Sequence, residues 1–340
     1  MDERMRIGRR ITAVGAAIAL VCGLGLTGCS AEEGDTAAAT GAQSTAEVEE
    51  GALPVTIEHA FGETTIEEAP TRVVALGWVD VDYLLAVGVT PVWTYDYHES
   101  FPTSWQSEVI EGELPQASTD REVDYEQIAA TEPDLIIAMT RVEDSDVYDR
   151  LSQIAPTVTH REGYAEMGQP IELVMEDVGK AVGRPQAAAD AVSELEDRMK
   201  AIADRHPDWA GKTVNVGDRN PALSWLYDST ADRTQLPQAF GLVVPSAVDE
   251  ASDDGGVEVS DERTDLFEAD ALLFIDYECS MDKLRADPVM RGVPAIAEGR
   301  AACIFEDLGE EELTAWQYST TLSWSYILDD VEELLERLLD

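Results

Sequence analysis

Between Pro185 and His206 the chain reads PQAAADAVSELEDRMKAIADRH, and no other stretch limits the fold as much. Ala188, Ala191, Val192, Leu195, Met199 and Ile202 recur three or four apart, which places them on one apolar stripe of a helix. Gly183 can end the preceding helical pattern IELVMEDVGKAV, Pro185 suits a first helical turn, and Pro207 marks the stop. About 20 residues at roughly 1.5 Å each make a rod of roughly 30 Å, the width of a small domain. The segments on either side are each roughly 120 to 130 residues, a plausible domain size. Both alternate short apolar runs with helical patterns. The expected architecture is α/β: two three-layer lobes with mainly parallel sheets, joined by one long rigid helix. The alternative is a single larger α/β domain in which this helix is merely the longest.

The charge balance narrows the range of partners. Sixty-nine acids stand against 23 Lys and Arg, a formal charge of −46 over 340 residues. Phosphate binding needs clustered basic side chains, so nucleic acid is not an expected partner. A surface so acidic repels itself, which suits either saline surroundings or a cationic ligand.

The first ten residues, MDERMRIGRR, carry four arginines and precede the apolar run ITAVGAAIALVCGLGL. That run is short and Gly-rich, and it reads as a signal peptide over residues 1–28. It closes on Leu26-Thr27-Gly28-Cys29, which resembles the lipobox of bacterial lipoproteins. The resemblance implies cleavage before Cys29 and a lipid on its thiol. Arg9-Arg10 admits twin-arginine export without establishing it. The mature chain would carry about −48, because the leader removes more arginine than acid. Residues 29–51 contain no aromatic and a single Val, so a flexible acidic tether is expected there.

The folded lobes are expected at 52–168 and 209–340, with a connecting helical segment at 169–208. Val55-Thr56-Ile57 and Thr64-Thr65-Ile66 flank a Gly-containing turn and predict a hairpin. Strand patterns follow at 72–76, 90–93, 135–139 and 156–159, with helical patterns between them, and this alternation implies parallel pairing. The theme returns after the long helix at 212–217, 271–275 and 302–305, and an amphipathic pattern closes the chain. A fragment also repeats. Asp124-Tyr125-Glu126 precedes Asp134 and LIIA, while Ser260-Asp261-Glu262 precedes Asp270 and ALLFI at the same spacing. Asp124 and Ser260 are good N-caps, so each copy predicts cap, short helix, loop and buried strand.

Several stretches resemble those of the iron–siderophore substrate-binding lipoproteins of bacterial ABC importers. They are VTIEHAFGETTIEEAPTRVVALGWVDVDYLLAVGVTPV, YEQIAATEPDLIIA, LSQIAPTV, IELVMEDVGKAVGR, HPDWAGKTVNV and VPAIAEGRAACIF, spread in order over most of 52–340. The resemblance implies two α/β lobes bridged by a long helix, with a ferric siderophore held in the cleft. It also implies a partner, an ABC permease dimer with its ATPase subunits. Glu126 and Glu262 are then one docking acid per lobe for arginines of the permease. The alternative reading is two solvated first-turn glutamates favoured by the helix dipole. The protein is expected to be a monomer held to the outer face of the cell membrane.

Ligands of open α/β sheets lie beyond the carboxyl ends of the strands. That rule selects Trp78, Trp93, Tyr95, Tyr97, His98, Arg141, Arg161 and Tyr164 in the first lobe. In the second it selects Arg219, Trp225, Tyr227 and Tyr277, with Trp316 and Tyr318 as further candidates. Aromatic faces suit a large flat or cationic chelate, and an arginine such as Arg141 can donate to oxygens around iron. Each aromatic taken singly packs under a loop more often than it meets a ligand, and Arg141 could equally pair with Glu143 or Asp144.

The four histidines are scattered with no HxH or HExxH pair, so no direct metal site and no resident cofactor are expected. Haem or cobalamin is the alternative ligand. A secreted α/β enzyme is a weaker alternative, since no GxSxG, P-loop or GxGxxG occurs and no catalytic residue is assigned. Cys22 leaves with the leader and Cys29 carries lipid, which leaves Cys279 and Cys303. Two thiols outside the cell usually pair, so a disulfide is expected, with two separate buried thiols as the alternative.

Overall fold

Short runs of Val, Ile, Leu and Ala build the sheets, and most of these residues are buried on both faces, as a covered parallel sheet requires. The computed structural model describes residues 47–340 apart from 98, 143, 166–167, 221–223 and 254. The leader, Cys29, most of the expected tether and His98 lie outside the described residues.

An antiparallel hairpin of β1 (Val55–His59) and β2 (Gly62–Ile66) comes first. The first sheet follows, from β3 (Val73–Ala75), β4 (Trp93–Tyr95), β5 (Gln116–Ser118), β6 (Leu135–Ala138) and β7 (Thr157–Thr159). Its order is β5-β4-β3-β6-β7 and every pairing is parallel. The second sheet comprises β8 (Val214–Arg219), β9 (Ser224–Tyr227), β10 (Gly256–Glu258), β11 (Ala271–Phe274) and β12 (Ala301–Cys303). Its order is β10-β9-β8-β11-β12, with β8, β11 and β12 parallel and β9 antiparallel to both of its neighbours. Three-residue and four-residue strands such as QAS, GVE and SWLY have too little apolar run to be read from sequence.

Alternation along each strand divides the core. Val73, Ala75, Leu135 and Ile137 face a cluster that also takes Val214, Val216, Ala271 and Leu273 of the second sheet. Val74 and Ile136 face a separate cluster, as do Leu272 and Phe274. Each sheet thus has helices on both sides, and the inner layers of the two are continuous.

The long helix spans Pro185–Arg205 and buries Ala188, Leu195 and Ile202, with Ala191, Val192 and Met199 partly buried beside them. It packs on the helix Ile171–Ala181 and on the C-terminal helix Thr321–Leu339. The first contact is close: a Cβ on Gly179 would stand 2.4 Å from the Cβ of Ala188. Gly183, at φ 70°, turns the chain between the two helices. One expectation needs correcting here. The tether expected over 29–51 stops short of its last residues, because Glu49 is part of the fold. Its carboxylate accepts the N–H groups of Gln186 at 2.7 Å and Ala187 at 2.9 Å, and its own N–H donates to the Gly183 carbonyl at 2.9 Å. The long helix lacks a cap from its neighbouring side chain, and an acid distant in sequence supplies it.

The repeated fragment has a structural counterpart. Asp134 accepts from the N–H and hydroxyl of Thr71 (2.7 and 2.8 Å) and from the N–H of Arg72 (2.8 Å). Asp270 accepts from the N–H and hydroxyl of Thr213 at 2.7 and 2.9 Å. In both sheets the acid ahead of a buried strand thereby holds the start of its neighbour. The helical halves differ. Asp124 caps the helix Tyr125–Ala130, whereas Ser260 caps none and Glu262 sits in a turn before the single 3-10 turn Thr264–Phe267. Glu126 and Glu262 are both exposed.

Candidate functional site

Two cavities lie between the halves of the molecule. The first, of about 480 Å³, collects Val79 after β3, Thr140 after β6 and Gln169 beyond β7. From the second half it takes Trp225 and Tyr227 on β9, Asp232, Tyr318 and Trp324. The second, of about 680 Å³, is lined by Ser100–Thr103 region residues after β4, by Tyr277 after β11, and by Glu310, Glu311 and Thr314. Tyr318 stands between them. Its hydroxyl is pushed well above the ordinary tyrosine range by burial and then by Asp82 and Asp96, against a hydrogen bond with Ser100, and Tyr277 adds to the rise. Both volumes fall in the range of small-molecule sites.

The floor under the first cavity is built from acids held in place by donors. Asp80 begins the helix Asp80–Ala86 and is fully buried. It accepts from the N–H of Gly77 (2.8 Å), the N–H of Met139 (3.0 Å) and the hydroxyl of Thr140 (3.0 Å). Burial raises its carboxyl to about 7, against those hydrogen bonds. Asp82, equally buried, accepts from Gln106 Nε2 (2.7 Å), Trp105 Nε1 (2.9 Å) and Thr320 Oγ1 (2.7 Å), and burial raises it to about 6. These acids join the ends of β3 and β6 and the start of the C-terminal helix, so they position the cleft walls. In the second half the Tyr227 hydroxyl donates to Asp218 at 2.6 Å, and burial pushes that carboxyl up, with Asp276 adding to the rise.

The candidate residues divide between cleft and core. Trp225, Tyr227, Tyr277 and Tyr318 line the cavities. Trp225 and Tyr227 stand on β9, where a loop was expected. Trp78 stacks on Tyr97 at 4.2 Å and 15°, and both are only partly buried. Tyr164 is exposed in the loop after β7, away from the lining of either cavity. Trp93 requires correction, because it is 2 % exposed and its indole N–H donates to Gln127 at 2.9 Å. Tyr95 is likewise buried, beneath the guanidinium of Arg141 at 3.6 Å. Trp316 is fully buried and donates to the Arg233 carbonyl at 3.1 Å.

The arginines are engaged by the protein. Arg141 donates to the carbonyls of Asp120 (3.0 Å) and Arg121 (2.7 Å). Arg161 turns toward the hairpin, pairing with Asp177 at 2.7 Å and Glu176 at 2.9 Å, and the hydrogen bond to Asp177 raises its pKa first of all. Arg219 lies between Asp287 at 3.5 Å and Asp261 at 3.8 Å. Among histidines, His59 meets Thr64 at 3.0 Å and His160 packs edge-on to Phe61, and burial lowers both below the usual range. Cys279 and Cys303 are joined by a disulfide.

Sequence reasoning missed Asp232, Gln169, Glu310 and Glu311. Asp232 begins and Gln169 just precedes a helix that follows a strand, while Glu310 and Glu311 stand in the first turn of the helix Glu310–Tyr318. Trp324 was also missed; it lies on the C-terminal helix in the same apolar stripe as Ile327, Leu328 and Val331, a spacing that could have found it.

Comparison with known proteins agrees with this geometry. The family model described as periplasmic binding protein matches residues 73–306. The Fe(3+) dicitrate-binding periplasmic protein FecB of Escherichia coli is 28% identical over 209 residues, covering 59% of this chain and 66% of that one. The ferric-anguibactin-binding protein FatB of Vibrio anguillarum is 24% identical over 332 residues, 93% of this chain and 96% of that one. A crystal structure of a periplasmic solute binding protein from Mycobacterium smegmatis superposes with a TM-score of 0.73 at 28% identity, covering 84% of this chain and 99% of that one.

Proposed function

The chain belongs to the periplasmic binding protein family, and from that premise we propose that it captures a ferric siderophore between its two sheets and delivers it to an ABC importer. One observation carries the reading: two adjoining cavities, at strand ends of both halves, are lined by Trp225, Tyr227, Tyr277 and Tyr318. Aromatic faces drawn from two lobes suit a bulky chelate, which a single-lobe pocket would leave half exposed. The relatives named for ferric dicitrate and ferric anguibactin support the same class of ligand. Carriage without chemical change fits the family, and no catalytic residue is assigned.

The working form is a monomer leashed outside the cytoplasm by lipid on Cys29. Its partner is a permease dimer with ATPase subunits, and Glu126 and Glu262 are its docking acids. Their exposure and their equal offset from Asp134 and Asp270 support that assignment. Charge reversal at both should abolish uptake while leaving chelate affinity intact.

The test is titration of tryptophan fluorescence with hydroxamate, catecholate and carboxylate ferric chelates, followed by recovery of the ligand. Saturable quenching with unchanged ligand supports the proposal. A response to haem or cobalamin with none to any ferric chelate overturns it.

A further inference from the structure

Building on the reading of the cleft as an iron-chelate site, we infer that it selects ferric chelates without net negative charge, a neutral or cationic ferric hydroxamate above all. Three hydroxamates balance Fe(III) and leave a neutral complex, or a cationic one when the siderophore keeps an amine. Three catecholates leave a trianion, and dicitrate complexes are also anionic.

The charges lining the site point one way. Asp232 is the one charged side chain among the described residues of the first cavity. Glu108, Glu310 and Glu311 are the charged ones of the second. Neither lining includes a Lys or Arg among the described residues, and none of the undescribed residues from 47 onward is Lys or Arg. Behind the lining, half-buried Asp218 near the end of β8 and buried Asp276 just past β11 add two more carboxyls.

The cations close enough to offset these acids are already paired or held. Arg233 meets Asp232 at 3.8 Å and also donates to the Gln317 carbonyl. Arg219 is shared by Asp261 and Asp287. Arg141 lies on Tyr95 and donates to two backbone carbonyls. Arg121 is exposed, 5.9 Å above Tyr97, and belongs to neither lining. An anionic chelate therefore enters a cavity of its own sign, whereas a cationic one meets carboxylates and the faces of Trp225, Tyr227 and Tyr277. Screening weakens this preference without removing it, because the lining charges lie within a Debye length of the ligand.

The experiment compares ferrichrome (neutral), ferrioxamine B (cationic), ferric dicitrate (anionic) and ferric enterobactin (trianionic) on the mature chain, at roughly 50 mM and roughly 500 mM salt. Ferrichrome or ferrioxamine B should bind at least about tenfold tighter than ferric enterobactin at low salt, and high salt should narrow the gap. Glu310→Gln with Asp232→Asn should weaken ferrioxamine B about threefold more than ferrichrome. Tighter binding of ferric enterobactin or ferric dicitrate at both salts overturns the charge preference alone. Absence of binding by all four overturns the chelate reading, and the preference with it.

Discussion

The Thr320 hydroxyl donates to the buried carboxylate of Asp82 at 2.7 Å, joining residues 238 positions apart. Thr320 also caps the C-terminal helix, accepting from the Ser323 N–H at 3.0 Å. A single hydroxyl therefore ties the start of that helix to the wall of the first sheet. Trp105 extends the contact with its ring edge-on to Tyr318 at 5.6 Å and its N–H on Asp82. Two sheets in sequence are one body at this point.

Asp80 and Asp82 make stability rise as pH falls from about 7. Their folded values, about 7 and about 6, lie above the ordinary 3.8, so the folded state binds more protons across that window. Their burdens are complete above pH 7 and relieved as pH drops through the folded values. Below about pH 4 the sign reverses, because Glu176, Glu332, Asp270 and Asp287 are held below their ordinary values by hydrogen bonds and nearby cations. Thermal melts should show Tm higher at about pH 5 than at about pH 8, and falling again below about pH 4. His59 and His160, lowered by burial, act in the opposite sense below about pH 6.5, and a Tm that falls from pH 8 to pH 5 would show that they outweigh the two carboxyls.

Glu49→Ala should cost about 1 kcal/mol, the usual worth of a helix cap, and lower Tm by about 2 °C in a protein this large. Glu50→Ala, one position on and exposed, serves as the comparison and should be neutral. Equal melting of the two variants would mean that the long helix does not need the cap.

Replacing Cys279 and Cys303 by serine should cost about 3 kcal/mol, the entropy of a loop closed over a separation of 24. Peptide mapping of the unreduced mature protein should find the two cysteines linked. Recovery of both as free thiols would refute the pairing.

Trp225→Ala should weaken the preferred chelate by about tenfold or more, since it removes an aromatic wall of the first cavity. Trp93→Phe should leave affinity unchanged and lower stability instead, because its indole is buried against Gln127. The reverse result would place the ligand on the other side of β4.

Periodicity is what made the fold legible. The stripe from Ala188 to Ile202 and the runs LIIA and ALLF carry their own burial signal, and the parallel sheets follow from their alternation with helices. The site was legible only as a set of residue types at strand ends. Trp93 and Trp225 look alike in sequence, yet one is sealed by Gln127 and the other is on an antiparallel strand that no apolar run announces. Glu49 carried no signal at all, because its partner lies 137 positions away.

The C-terminal helix Thr321–Leu339 also dictates when the protein can mature. Its residues are translated well after those of the first lobe, yet they pack on the helix Asp80–Ala86 and on the long helix, and they contribute Trp324, Ile327, Leu328 and Val331 to the core shared with β3 and β6. The first lobe thus lacks one of its layers until this helix has been made. A nascent chain stalled before Thr320 lacks the hydroxyl that donates to Asp82 and the Tyr326 ring that packs on Trp105.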